Sequence, residues 1–378
     1  MHVALSGWFW SRPDTGSGQY LRQLLGTLAG AHAEARFTLL LPTAPPAPQA
    51  LATLSNVQVV HLPAHSSALS KVWWEQVRVP RAARRAGATL LHVPYWAAPL
   101  RASVPVIVTI HDLIPLLLPA YRGSAAVRFY TALVSATARR ARYVLTDSEA
   151  SRRDIIAHLS LPADRIAAIP LAAAAHYTAA SQPEDATVWR ALGITPGYIL
   201  YLGGFDRRKN LETALAAFAQ ARERVPTARL VVAGKLPEVE SELIQNPRRW
   251  LARVGLTEPT VYFTGFVPEA QKPALYRGAR AFLFPSRYEG FGLPPLEALA
   301  CGVPVVGSEA ASLPEVVGEA GVLTSPDDAT GMAEALVRLL TDEKFHALLR
   351  QRAHEQAARF TWAQTAAATW RAYEQALA

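Results

Sequence analysis

A chain of 378 residues is long enough for two domains of ordinary size, each with its own core. Hydrophobic residues make up 51% of it and charged residues 18%, which excludes a disordered chain. The net charge of +8 comes without a basic tail or a recognition motif, so nucleic acid is not the expected partner.

Met1-His2-Val3-Ala4-Leu5 reads directly as a strand, with no basic stretch or long apolar core, so no signal peptide is expected. No apolar run approaches the ~20 residues that span a bilayer. The longest candidate, Leu113–Pro119, is broken by Pro115 and Pro119. The single Cys301 leaves no internal disulfide framework and suits a reducing, cytoplasmic setting. At the end of a helix it reads as a small buried hydrophobe, not a nucleophile.

The first half alternates apolar strands with helical patterns. Strands are expected at His2–Ser6, Phe37–Leu41, Val57–His61, Thr89–Val93, Val104–Ile110, Tyr143–Thr146 and near Ile166–Ile169. Helices are expected at about Gln19–Ala29, Lys71–Arg85, Ala125–Ala141 and Glu149–His158, and the proline-rich Pro42–Pro48 is expected to be a loop. Residues 171–196 break the alternation, and a second run begins at Tyr198. It reads as strands at Tyr198–Leu202, Arg229–Val232, Val261–Thr264, Ala281–Phe284 and Val303–Val306. Between them lie helices at Leu211–Arg224, Val239–Ala252, Glu269–Gly278 and Leu296–Cys301. The fold class is therefore α/β: two facing Rossmann-like, doubly wound parallel-sheet domains over 1–180 and 181–360. A last helix, capped by Thr361 and carrying Trp362 and Trp370 on one side, occupies 361–378.

Residues 285–308, PSRYEGFGLPPLEALACGVPVVGS, carry the strongest functional signal. Glu289 and Glu297 flank the bend Gly290-Phe291-Gly292, and Pro294 and Pro295 suit the first turn of a helix. The unit is strand, Gly-bend, helix, strand. Its bend lies at the carboxyl edge of a parallel sheet, where free amides and the helix dipole attract phosphate. The two glutamates would then reach different ends of a ligand whose diphosphate rests on the bend. Arg207-Arg208-Lys209-Asn210 follows another strand and the flexible Gly203-Gly204, bringing cations to the same edge. The chain has no D-x-D motif, so a diphosphate would be neutralised by side chains, amides and dipoles without a metal. Thr15-Gly16-Ser17-Gly18 opens the first helix; it lacks the third glycine of a dinucleotide fingerprint. His111 ends a strand, with Asp112 placed to orient its ring. Thr146-Asp147-Ser148-Glu149 reads as a helix cap.

The 285–308 stretch resembles the E-x7-E signature of family 4, or group 1, retaining glycosyltransferases that use nucleotide sugars. Gly265-Phe266-Val267, Leu313-Pro314-Glu315-Val316 and Gly321-Val322-Leu323 also fit that family's pattern. The resemblance implies a GT-B fold whose last helix crosses back onto the first domain, the acceptor side, with the second domain holding the donor. It implies that Glu297 meets the ribose, and that Glu289 holds the donor sugar near the anomeric centre. The amides of Phe291, Gly292 and Leu293 would bind phosphate beside Gly290. Lys209 matches the family's diphosphate lysine. The family's early arginine is Gly204 here, so its role passes to Arg208 or Arg207. His111 would reach toward the donor sugar, and Gly16, Ser17 and Gly18 toward the donor phosphate and acceptor.

The expected partners are a nucleoside-diphosphate sugar, with GDP-mannose or a UDP-hexose favoured, and a saccharide, lipid-linked or small-molecule acceptor. No cofactor or metal is expected. Arg78, Arg81, Arg84 and Arg85 share a helix with Trp73 and Trp74, which is compatible with peripheral docking on anionic lipid or with a solvated face over core tryptophans. A sugar-nucleotide epimerase, a silent sugar-nucleotide-binding protein and a nicotinamide-dependent dehydrogenase share the architecture. The intact Glu289, Glu297, Lys209 and His111 oppose a silent protein, and the Arg-Arg-Lys loop opposes the dehydrogenase.

Overall fold

The computed structural model describes residues 1–43, 54–65, 67–244, 246–258 and 260–378. Most of the expected 42–48 loop lies outside them. The chain divides into two compact units, Met1–Leu171 with Thr361–Ala378, and Ala172–Phe360.

In the first unit, strands β1 (His2–Ser6), β2 (Arg36–Leu41), β3 (Val57–His61), β4 (Leu90–Val93), β5 (Val106–Thr109), β6 (Tyr143–Thr146) and β7 (Ile166–Ala168) form one sheet. Every pairing is parallel, in the order β3-β2-β1-β4-β5-β6-β7. The connecting helices are α1 (Gly16–Ala31), α2 (Ala68–Trp73), α3 (Val79–Arg85), α4 (Ile114–Leu117), α5 (Ala125–Ala138) and α6 (Glu149–Leu159). The expected 71–85 helix is continuous in direction but contains a π-helical turn, Trp74–Arg78. That turn separates its tryptophans: Trp74 is fully buried and donates from Nε1 to the Leu62 carbonyl at 2.8 Å, whereas Trp73 is 58% exposed.

The second unit contains α7 (Asp185–Ala191), β8 (Tyr198–Leu202), α8 (Leu211–Arg224), β9 (Leu230–Ala233), α9 (Arg248–Leu251), β10 (Val261–Gly265), α10 (Lys272–Arg277) and β11 (Ala279–Phe284). It continues through α11 (Leu293–Ala300), β12 (Val305–Ser308), α12 (Leu313–Val317), β13 (Gly321–Thr324), α13 (Ala329–Thr341) and α14 (Glu343–Ala357). The parallel order is β10-β9-β8-β11-β12-β13. Alternate residues feed different cores: Ile199 and Tyr201 pack with Leu230, Val232 and α8, while Tyr198 and Leu200 pack with Val231, Phe282 and Phe284. A strand buried on both faces reads as a continuous apolar run, which is why these strands were visible in the sequence.

Two expectations need correction. The helix expected over 239–252 is only α9 with a 3₁₀ turn behind it, because Pro247 falls inside the span and the preceding segment is irregular. Strand β13 was not expected; it is short, half-exposed and at the sheet edge.

The last helix, α15 (Trp362–Leu377), is N-capped by Thr361 and packs on α1 of the first unit. Tyr373 hydrogen-bonds Nδ1 of the fully buried His92 at 2.7 Å, and Trp370 stacks on His32 at 3.6 Å. Thr365 donates to the Pro170 carbonyl at 2.7 Å. Burial pushes His92 down to about 3, so the ring is neutral and serves as a hydrogen-bond bridge to Thr109.

Candidate active site

Both sheets reverse their strand order beside the central strand, between β1 and β4 and between β8 and β11. Loops that leave the carboxyl ends of such strands splay apart and expose backbone to a ligand. In the second unit these loops are residues 203–210 and 285–292, the two segments singled out by sequence.

The structure brings Arg208, Lys209 and Glu289 together. Glu289 is only 8% exposed. Its Oε1 accepts from Lys209 Nζ at 2.7 Å and Ser286 Oγ at 2.5 Å, and its Oε2 lies 2.9 Å from Arg208 Nη1. Burial alone would raise the Glu289 pKa, but the ammonium of Lys209 and then the guanidinium of Arg208 hold it below the usual value. Arg208 also donates to the Tyr288 carbonyl at 2.8 Å, and Lys209 stands 5.1 Å from the Phe284 ring centroid. Arg207, by contrast, is exposed. The two loops are stitched together by Asn210, which adopts φ +55° and donates to the carbonyls of Pro285 and Pro326 at 3.0 and 2.6 Å. Asn tolerates that left-handed backbone better than most residues.

The bend itself is clamped from below. Ser312 Oγ bonds the carbonyls of Glu289 and Phe291 at 2.9 and 2.6 Å. Gly292 has φ +110°, and a Cβ there would stand 3.0 Å from Leu313, so glycine is required on both counts. Beyond it α11 begins with Leu293. Among the described residues no hydrogen bond leaves the amides of Phe291, Gly292 or Leu293. Three donors at a helix N-terminus therefore lie beside Gly290 and the Glu289 cluster.

Glu297 lies within α11 and is 4% exposed. Tyr276 donates to its Oε2 at 2.9 Å. Burial pushes its pKa up to about 7, opposed chiefly by Lys272. Cys301 caps the same helix, buried, with its thiol raised to about 12 by burial; it is inert packing.

In the first unit, His111 leaves β5 and its Nδ1 lies 2.7 Å from Asp147 Oδ2. The expected orienting residue, Asp112, instead accepts from the Ile114 amide at 3.0 Å and shapes the turn into α4. Asp147, read from sequence as part of a cap, is the residue that fixes the ring; only its neighbour Ser148 caps α6. Burial opposes a charged His111, yet Asp147 overrides it and the pKa is raised. Tyr20 meets the ring edge-on at 5.0 Å and holds Thr109 through a 3.1 Å hydrogen bond.

Thr15, Gly16, Ser17 and Gly18 form the start of α1 as expected. Their roles divide. Thr15 Oγ1 accepts from the Gly18 amide at 3.2 Å, and a Cβ on Gly18 would overlap the Arg12 carbonyl. Gly18 thus serves loop packing, whereas a Cβ on Gly16 would meet nothing within 4 Å. No group of three or more potential metal-ligating side chains occurs among the described residues.

A fold of two such domains, with a switch-point cluster of cations, carboxylate and free helix amides, matches known proteins across its length. The model for glycosyl transferases group 1 matches residues 196–342, and that for the glycosyl transferase 4-like domain matches residues 15–172. The O-antigen chain mannosyltransferase B of Escherichia coli is 34% identical over 290 residues, 75% of this chain and 74% of that protein. The chain belongs to the group 1 glycosyltransferases, family 4. The serotype-specific mannosyltransferase WbdA of Escherichia coli is 33% identical over 263 residues, 68% of this chain and 32% of its own length. The GT-B fold is shared with sucrose-phosphate synthase from Thermosynechococcus elongatus, at TM-score 0.78 and 22% identity over 99% of this chain and 98% of that one. It is shared also with Anabaena HepE, solved with UDP and glucose, at TM-score 0.76 and 19% identity over 98% and 99% of the two chains.

Proposed function

We propose that the protein is a retaining, metal-independent hexosyltransferase that moves a sugar from a nucleoside-diphosphate donor to an acceptor hydroxyl. The observation that carries the reading is the Glu289–Lys209–Arg208 cluster beside the unbonded amides of Phe291, Gly292 and Leu293. Residues 181–360 serve the donor, and residues 1–180 serve the acceptor. GDP-mannose is the favoured donor, because two relatives at 34% and 33% identity are named mannosyltransferases. A UDP-hexose is the second choice, given the UDP complex of HepE. The acceptor belongs to glycan, polysaccharide or glycolipid synthesis.

In this mechanism the diphosphate lies on the α11 N-terminus, met by the amides, Lys209 and Arg208. Of the two candidate arginines we assign Arg208, since its guanidinium already stands in the cluster. Glu297 receives the ribose hydroxyls and Glu289 the hydroxyls of the sugar. His111, its Nδ1 committed to Asp147, presents Nε2 to the donor sugar. The anomeric C–O bond to phosphate breaks and the acceptor oxygen bonds the same carbon from the same face. The acceptor proton passes to the departing phosphate oxygen. Positive charge held in place throughout takes the part that a divalent metal plays elsewhere.

The test is calorimetric titration in EDTA with UDP, GDP, dTDP, ADP and NAD, followed by transfer assays with the sugar of the selected nucleotide. Selective binding of one nucleoside diphosphate, and turnover that survives EDTA, are expected. Binding of NAD alone, or of nothing, sinks the donor reading; collapse of activity in EDTA sinks metal independence.

A further inference from the structure

At the amino edge of the first unit's sheet lies an open concavity of about 1090 Å³. Val106 and Tyr143, the first residues of β5 and β6, line it, as does Gln375 of α15. His111 stands beyond the other end of β5, roughly 16 Å from Val106 at about 3.3 Å per residue, so the concavity is separate from the candidate active site. Arg101, Arg139, Arg140, Arg142 and Arg165 line it, and Asp164 is the one carboxylate among its described lining residues.

The scaffold beneath these charges is tied down. Arg139 Nε donates to the Leu159 carbonyl at 2.9 Å, and Arg165 donates to the carbonyl of Ala141. The Arg142 amide donates to the Val106 carbonyl at 2.8 Å. Beside Arg101, Gln76 accepts from the Leu100 amide at 2.8 Å and donates to the Ala98 carbonyl at 3.0 Å. Three of the cations are left over. Among the described residues no hydrogen bond or ion pair engages the guanidinium of Arg101, Arg140 or Arg142, and all three are exposed.

The dipole at the carboxyl end of α5 accounts for Arg139 and Arg140 and for no others. Arg101, Arg142 and Arg165 come from the β4–β5 loop, the entry to β6 and the turn before β7. Five arginines against one aspartate leave a formal charge of +4 in one concavity, which repels itself and focuses its field on an anion. Guanidinium forks match phosphate oxygens in pairs. One phosphate group carries at most about two negative charges and would leave much of the field unmet. Leu100 is the one exposed large hydrophobe among the described lining residues, too little apolar surface to seat the concavity in a bilayer. We propose that this concavity is a second binding site, for a soluble ligand that carries two or more phosphate groups. It uses no residue of the transfer reaction and stands apart from the donor reading.

The experiment titrates inorganic tripolyphosphate into the full chain by calorimetry at physiological ionic strength. Four proteins are compared: wild type, Lys209→Ala as a control for the donor loops, the combined Arg101→Gln and Arg142→Gln variant, and Arg140→Gln alone. Circular dichroism checks each fold, and the single variant remains informative if the combined one unfolds. Wild type and Lys209→Ala are expected to bind alike within threefold, the combined variant at least tenfold more weakly and Arg140→Gln at least threefold more weakly. Binding that disappears in Lys209→Ala but persists in the pocket variants belongs to the donor loops and overturns the proposal. No binding to the wild type, or sulfate bound as tightly as tripolyphosphate, overturns it too. A second arm measures flotation with phosphatidylcholine vesicles containing one-quarter phosphatidylglycerol. Flotation that depends on Arg101 and Arg142, without tripolyphosphate binding, assigns the arginines to a lipid surface and rejects the soluble ligand.

Discussion

Lys209 Nζ and Glu289 Oε1, 80 residues apart in the chain, stand 2.7 Å apart across two loops of one sheet edge. The pairing keeps the carboxylate ionised and fixes a flexible four-carbon side chain in one place. Lys209→Ala removes a charged hydrogen bond of roughly 1.5–3 kcal/mol. That corresponds to a fall in turnover of about 10- to 100-fold, with donor binding partly retained through Arg208. Steady-state kinetics beside nucleotide titration would check this; wild-type rates would remove Lys209 from the site.

Glu297 gives a proton-linked prediction. Its pKa is raised to about 7, so its protonated form favours the unliganded fold below the ordinary Glu value. That contribution is lost as pH rises toward 7. Ribose hydroxyls donating to it would favour the ionised form and lower that pKa. Nucleotide binding near pH 6.5 should then release a sizeable fraction of one proton, read as a buffer-dependent enthalpy in calorimetry. A buffer-independent enthalpy would rule out Glu297 as the ribose ligand. Glu297→Ala should weaken nucleotide binding by roughly 1–3 kcal/mol.

For His111 the sign is set by Asp147, which overrides burial and raises the pKa. The charged pair stabilises the fold below the ordinary His value and fades as pH rises through the folded one. Asp147→Asn should lower the ring's titration midpoint, followed by NMR of the imidazole. Turnover should fall as well, because the ring loses its orientation. An unmoved midpoint would contradict the assignment of Asp147 over Asp112.

Away from the site, Arg277 and Asp185 form a bidentate pair, 2.7 Å at Nε and 2.5 Å at Nη2, with side chains 8% and 3% exposed. Arg277→Met strands the Asp185 carboxylate and should destabilise the second unit by about 3–5 kcal/mol in urea. Adding Asp185→Leu should restore much of it. The Asp185 pKa is lowered by Arg277 against burial, so the wild-type pair's contribution is present above the ordinary Asp value and lost in acid. Urea midpoints that match the wild type in Arg277→Met would deny the pair a structural role.

How far the sequence foretold this molecule depends on the range of the interaction. Strands such as Tyr198–Leu202 were legible because burial on both faces makes them continuous apolar runs, and Gly292 and the Pro294-Pro295 turn because backbone sterics act locally. The Glu289 cluster was anticipated by motif. Its clamps, Ser286 and Ser312, were not, although Ser286 lies only three residues before Glu289. The orienting partner of His111 was sought at Asp112, its neighbour, whereas Asp147 arrives from the adjacent strand 36 residues later. Parallel β-pairing made that contact, and no local pattern reports it. Strand β13 escaped notice because an edge strand is half-exposed and lacks a long apolar run.

The hydrogen bond from Tyr373 to His92 closes a loop of 281 residues. The first unit therefore has two edges in time: on a ribosome its seven strands and α1 are made long before α15 is, and the whole second unit is synthesised in between. Until α15 arrives, the face of α1 that it covers and the ring of His92 await their partners. Contacts this distant in sequence must repay a large closure entropy, so docking of the last helix is expected among the late events of folding.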